Sequence, residues 1–265
     1  MFLAHFGLDR NPFGETTRAS DYVPLPSRES ALRRLCYILE HDQGPAALHG
    51  SPGLGKSLLG RRLAHMMGLT RVVDLGFPTL PAKRLLDSIL AQLGPRSDAA
   101  PPHDDPLSEL RDRLARLADH GDRPLVVVDD AHLIRDPETM GFLKLMHNFR
   151  SQGPPDIRVL LAGETEFLLD LDPGLADLVA CRVLLEPLPA QESVAYVRGR
   201  LKLAGASRPI FTEGALDALH WAALGRPRHL NRLANLALLI AYARDLDIAD
   251  ETAVTLAAAE LPAAA

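Results

Sequence analysis

Residues Gly50-Ser51-Pro52-Gly53-Leu54-Gly55-Lys56-Ser57 fit the spacing G-x-x-x-x-G-K-[ST], the Walker A pattern, without interruption. Glycines at these places let the backbone curl so that successive N–H groups face inward. A polyphosphate can rest against them and against the positive end of a following helix. Lys56 is long enough to reach the β- and γ-phosphates, and the Ser57 hydroxyl is a natural Mg²⁺ ligand. The stretch Gly50, Ser51, Pro52, Gly53, Leu54, Gly55, Lys56, Ser57 and Leu58 is therefore expected to cradle a nucleoside triphosphate. A second signal is Val126-Val127-Val128-Asp129-Asp130. An acid at the end of a buried strand helps hold the Mg²⁺ that neutralises phosphate charge, and Asp129 fits that role. Asp130 fits that of a general base polarising the attacking water. Without the loop upstream, the same pair would read as two solvated carboxylates capping a strand.

These groups need a strand before the loop, a helix after it and a buried strand ahead of the acids. Ala46-Ala47-Leu48 supplies the first, and Leu58-Leu59 with Leu63-Ala64 continue at helical spacing. Ser27 is expected to cap a helix carrying Ala31, Leu32, Leu35, Ile38 and Leu39. Val72-Val73-Asp74-Leu75 reads as a second strand, and residues 81–93 as a helix with Leu85, Leu86, Ile89, Leu90 and Leu93 on one face. Residues 94–106, rich in Pro, Asp and Ala, read as a mobile surface loop ahead of another amphipathic helix. The continuous β-branched run before Asp129 suits a strand covered on both faces of a parallel sheet. A helix over 138–150, a strand over 157–162 and a short strand near Val183-Leu184-Leu185 follow. Pro187 and Pro189 then break the pattern, and the remainder reads as helices near 190–204, 212–223, 227–243 and 250–259, with a frayed alanine-rich tail after Pro262.

The chain has 265 residues, 47% hydrophobic and 24% charged, enough for an α/β domain and a smaller second one. A net charge of −5 is unlike that of a nucleic-acid-coating or polybasic membrane protein and leaves room for local basic patches. Cys36 and Cys181 have no metal-type spacing and read as packing residues of a reducing compartment. No basic segment followed by an apolar one opens the chain, and the apolar stretch between Arg232 and Arg244 is too short to span a bilayer. The expected location is cytoplasmic.

On these residues the chain resembles the AAA+ superfamily and, within it, the ExeA group. The resemblance runs from Phe6-Gly7-Leu8 and Pro12-Phe13 through the phosphate loop, Val128-Asp129-Asp130-Ala131-His132 and Leu161-Ala162-Gly163-Glu164. It continues with Tyr196-Val197-Arg198-Gly199-Arg200-Leu201 and closes on Gly225-Arg226-Pro227-Arg228-His229-Leu230-Asn231, similar to the family's G-x-P-R-x-[IL]-N. The resemblance implies an α/β fold, a P-loop NTPase parallel sheet flanked by helices (the AAA+ core), with a small C-terminal all-helical lid. It divides the chain into an N-terminal segment (1–26) packing near the nucleotide, a nucleotide-binding domain (27–186) and the lid (187–265). The nucleotide is expected to be ATP with Mg²⁺. Arg228 resembles the lid arginine (sensor 2) that reaches the γ-phosphate, work for which a permanently charged planar fork is suited. Arg182 stands where the family places a residue offered to a neighbouring subunit's ATP; a plain strand-edge arginine is the equal alternative. Phe13 and Tyr22 line the adenine pocket or anchor the core.

Two departures bear on chemistry. Asp129-Asp130 replaces the commoner Asp-Glu, and Glu164 replaces a common Gln. A carboxylate so near a γ-phosphate is repelled unless it faces water or a cation. ATP binding is thus better supported than fast hydrolysis. His132 reads as a local hydrogen-bond partner, His65, Met66 and Met67 as packing and surface residues, and Trp221 as packed inside the lid.

The resemblance implies an ATP-hydrolysing switch or remodeller acting in a homo-oligomer on an unidentified protein client, a secretion or pilus component or a transposase. ExeA proteins often carry a membrane span and a peptidoglycan-binding region, absent from this sequence, which favours a free helper. The alternative is an ATP-controlled DNA-binding helper of a transposase or recombinase, with Lys83, Arg84, Lys144 and Arg150 facing the DNA. From Pro187 on, eight Lys/Arg stand against eight Asp/Glu, so no basic recognition surface is announced there. A small-molecule kinase is disfavoured by the Arg228 motif, and transporter ATPase and GTPase signatures are missing.

Overall fold

The computed structural model describes residues 2–14, 18–41, 43–76, 78–94, 105–149 and 156–261. Most of the expected loop at 94–106, Arg150 and the tail from Pro262 lie outside the described residues. The chain forms two compact units, one of Ser30–Ser51 with Leu59–Leu185, the other of Met1–Glu29, Pro52–Leu58 and Glu186–Ala265. Strands β1 (Ala46–His49), β2 (Val72–Leu75), β3 (Leu125–Val128), β4 (Arg158–Gly163) and β5 (Cys181–Leu184) alternate with helices. These are α1 (Phe2–His5), α2 (Pro26–Glu40), α3 (Lys56–Met66), α4 (Ala82–Gln92), α5 (Pro106–Asp119), α6 (Pro137–His147), α7 (Phe167–Asp170) and α8 (Pro173–Leu178). Helices α9 (Ala190–Leu203), α10 (Glu213–Ala223), α11 (Pro227–Ala243) and α12 (Glu251–Glu260) follow.

In the sheet unit all five strands are parallel, in the order β2-β3-β4-β1-β5. Val126, Val128, Val159 and Leu161 share one core with Leu85, Ile89, Leu110, Leu114 and Phe142 of the covering helices. On the opposite face Gly60 of α3 lies against Leu160 and Val127, within 3.5 Å of where a Cβ would stand. Burial on both faces is why β3 is an unbroken apolar run. Helices α5 and α6 begin where Asp105 and Asp136 accept backbone N–H bonds ahead of a proline at the first helical position. Parallel strands put all their C-terminal ends on one edge, and Gly50, Asp129 and Glu164 emerge there.

In the helical unit α9 to α12 share a core with the N-terminal residues Phe6, Leu8, Phe13, Val23 and Leu25. Phe13 is an anchor of this core, edge-on to Phe211, and the Tyr22 hydroxyl donates to Glu29 (2.7 Å). Arg200 is buried; its guanidinium donates to the carbonyls of Pro12 (2.8 Å) and Gly14 (3.0 Å) and to the Tyr196 hydroxyl (3.2 Å). Tyr196 in turn donates to Asn231 Oδ1 of α11 (3.1 Å).

Two local expectations are corrected. Helix α2 starts at Pro26, so Ser27 lies in its first turn; Glu192 of α9 accepts from both the Ser27 N–H and hydroxyl. Trp221 is not packed inside: it is 73% exposed. Leu216, Leu219 and Ala223 form the buried face of α10, and Trp221 falls with Glu213 and Asp217 on the other. Among the described residues, no helix is long and apolar enough to cross a membrane.

Candidate functional site

The phosphate-loop sequence follows β1 and ends in α3. Gly53 and Gly55 have φ of +79° and +92°, a region that a side chain makes costly. A Cβ on Gly53 would stand 2.9 Å from Arg228 Cβ, whereas one on Gly55 would meet none of the described residues within 4 Å. Gly53 is thus a contact point and Gly55 an open one. The Arg228 N–H donates to the Gly53 carbonyl (3.1 Å), which holds the start of α11 against the loop inside the helical unit. The sequence-predicted Arg228 and the loop are brought together by this bond. Lys56, buried, begins α3, and Ser57 and Leu58 are half-buried in the same turn. This is the end at which an α-helix presents backbone N–H groups to anions.

The remaining predicted groups belong to the sheet unit. The Asp129 N–H donates to the Leu75 carbonyl (3.2 Å), and Asp129 Oδ1 accepts from the Asp130 N–H (3.1 Å). Asp130 is exposed in the left-handed region (φ 50°, ψ 39°), one of the few non-glycine types that accept it. It opens the turn Ala131–Leu133. Gly50 N–H donates to the Gly163 carbonyl (3.3 Å), fixing the first loop residue to the end of β4. His132 Nε2 faces Glu164 Oε1 at 3.5 Å. Arg182 is exposed on the edge strand β5, level with Ala47, and its carbonyl accepts from Arg34 (3.5 Å).

Electrostatics on α11 are lopsided. His229 has its pKa pushed below the ordinary histidine value by burial, then by Arg226, Arg232 and Arg228. The donor set of the loop fits a polyphosphate: a glycine cradle that a Cβ at 53 would fill, a lysine at a helix start and the Ser57 hydroxyl. Of the DNA-facing candidates, Lys83 and Arg84 are exposed on α4. Lys144 is half-buried, its Nζ lying over Gly174 of α8. Sequence reasoning missed Gly163, whose Cβ would stand 3.1 Å from His132 N and 2.9 Å from Phe167 Cδ1. Its signal was the glycine at a strand end, which marks a close approach.

Residues 39–170 match the family of AAA domains. The chain is 32% identical over 251 residues to general secretion pathway protein A of Aeromonas hydrophila, covering 92% of this chain and 45% of that protein. It thus spans less than half the length of that relative. Solved structures share the fold: Cdc6p from Pyrobaculum aerophilum has a TM-score of 0.71 at 20% identity, over 90% of this chain and 67% of that one. The Aeropyrum pernix ORC1 protein in complex with DNA has a TM-score of 0.69 at 20% identity, over 93% and 69%. The Thermotoga maritima RuvB Holliday junction branch migration motor has a TM-score of 0.65 at 16% identity, over 92% and 72%. With its parallel sheet, its phosphate-loop sequence between β1 and α3 and its C-terminal helices, the chain belongs to the AAA+ P-loop ATPase family and is similar over most of its length to general secretion pathway protein A.

Proposed function

We propose that the chain binds ATP with Mg²⁺ at Gly50–Leu58, hydrolyses it, and uses turnover as a switch within an oligomer. The observation that carries this reading is the hydrogen bond from the Arg228 amide to the Gly53 carbonyl, which couples the loop to α11. In this reading the loop amides and Lys56 hold the phosphates. Ser57 and Asp129 hold Mg²⁺, which when bound neutralises phosphate charge. Asp130 accepts a proton from the attacking water. Arg228 extends its guanidinium to the γ-phosphate, so loss of that group frees the start of α11 and moves the lid. Arg182, exposed on β5, is offered to the ATP of an adjacent copy, which makes turnover depend on assembly.

The named relative is a secretion-pathway protein, which supports a protein client. A DNA-dependent helper is the second reading, favoured by the exposed Lys83-Arg84 pair and by fold neighbours solved with DNA or named as a branch-migration motor. Steady-state ATP hydrolysis, with and without double-stranded DNA at low salt and with Lys56→Ala as the blank, tests both. Turnover lost in Lys56→Ala supports the site; turnover equal to wild type removes it. Stimulation by DNA that fades with salt supports the second reading.

A further inference from the structure

The carboxylate of Glu164 stands one residue beyond Gly163, the residue that accepts the Gly50 N–H at the start of the phosphate-loop sequence. If that loop holds a phosphate, the carboxylate is a like charge beside the loop's first residue, and like charges at close range oppose one another. The sheet unit places an imidazole against this carboxylate. His132 sits in the turn after β3, and its Nε2 is 3.5 Å from Glu164 Oε1. The other ring nitrogen, Nδ1, is buried with no hydrogen-bond partner among the described residues. A stranded lone pair there is a smaller loss than a stranded N–H, so the ring proton belongs on Nε2, the nitrogen facing Glu164. Gly163 makes the approach possible, since a Cβ there would stand 3.1 Å from His132 N. Because β4 lies between β3 and β1, the imidazole draws the carboxylate toward the β3 side, away from the strand that feeds the loop.

We propose that His132 is the positioning residue that makes a carboxylate at 164 compatible with a bound triphosphate, so that the two side chains act as one unit. The proposal rests on the reading of Gly50–Leu58 as an ATP site. Without the imidazole, Glu164 is released and repels the γ-phosphate. Without the carboxylate, the imidazole has nothing to restrain.

The test is a double-mutant cycle read by ATP·Mg²⁺ affinity and turnover, with thermal unfolding as a check on folding. His132→Ala weakens ATP binding roughly tenfold, within the range of coupling between contacting residues. Glu164→Gln binds ATP as well as wild type or better, and the double variant His132→Ala/Glu164→Gln matches Glu164→Gln. A double variant as weak as His132→Ala overturns the proposal, as does His132→Ala with unchanged affinity. A readout independent of nucleotide keeps the pair separable from the ATP site. In ¹⁵N spectra of the free protein, His132 shows the Nε2–H tautomer and its signals move in Glu164→Gln. An Nδ1–H tautomer, or signals that Glu164→Gln leaves in place, contradicts the pairing even if ATP binds. Failure of the wild type itself to bind ATP overturns the loop assignment.

Discussion

The sheet unit and the helical unit position their polar groups by different means. At the C-terminal edge of the sheet, the backbones of Gly50, Asp129 and Glu164 stand where they do because parallel ladders end there. In the helical unit the decisive contacts run from side chains to distant backbone: Arg200 to the carbonyls of Pro12 and Gly14, Glu192 to the Ser27 N–H. Topology sets the first kind of group, and single side chains set the second. The sheet's C-terminal edge and the phosphate loop should therefore lose chemistry before stability when their polar groups are changed, and the helices packed around Arg200 should lose stability first.

The largest expected effect breaks the chemistry. Lys56→Ala, at the junction of loop and α3, should lower ATP turnover by about two to three orders of magnitude, the usual consequence of removing a preorganised donor to a developing charge. A turnover assay beside circular dichroism checks that the fold persists. Asp130→Asn should slow turnover about 100-fold while leaving ATP affinity intact, since a general base acts on the water and not on the phosphates. Equal loss of affinity would place Asp130 elsewhere. On the helical side, Arg200→Ala should destabilise by about 3 kcal/mol, through three lost charge-assisted bonds and two stranded carbonyls. Denaturant unfolding measures it, and a change within experimental error would show that the buried guanidinium is replaceable. Gly53→Ala sharpens the comparison. A Cβ at φ +79°, 2.9 Å from Arg228 Cβ, should cost about 1–3 kcal/mol and weaken ATP binding with it. The smallest effect is Trp221→Ser, expected within about 0.5 kcal/mol of wild type because the ring is exposed. Ready quenching of the sole tryptophan by iodide checks the exposure directly.

This division also explains what could be read from the sequence. Strand β2 was legible residue for residue at 72–75, and β3 at its acidic end, because β-branched runs and strand-terminal acids are local signals. The phosphate-loop spacing and the all-helical C-terminal region were legible for the same reason. The left-handed Asp130 was not, since many residues precede a turn and few take φ +50°. Ser27 was misread as a cap because the group that satisfies it, Glu192, lies far along the chain. Arg200 gave no sign of burial, as its partners are backbone carbonyls of the N-terminal segment. Trp221 was assigned to the interior on residue type, although the spacing of Leu216, Leu219 and Ala223 already puts it on the opposite face. The Glu164 departure was visible, but its answer, His132, depended on the turn after β3 lying against Gly163. Cys36 illustrates the same limit. Its thiol is pushed up to about 11 by burial, with Glu40 adding to the shift, which keeps it protonated and slow to react.

The most direct test of the central claim is calorimetric titration of the full chain with ATP in the presence and absence of Mg²⁺, for wild type and Lys56→Ala. The account predicts one site per chain in the wild type, tighter with Mg²⁺, and no measurable binding in Lys56→Ala. Equal binding by both proteins would contradict the assignment of Gly50–Leu58 as the phosphate site.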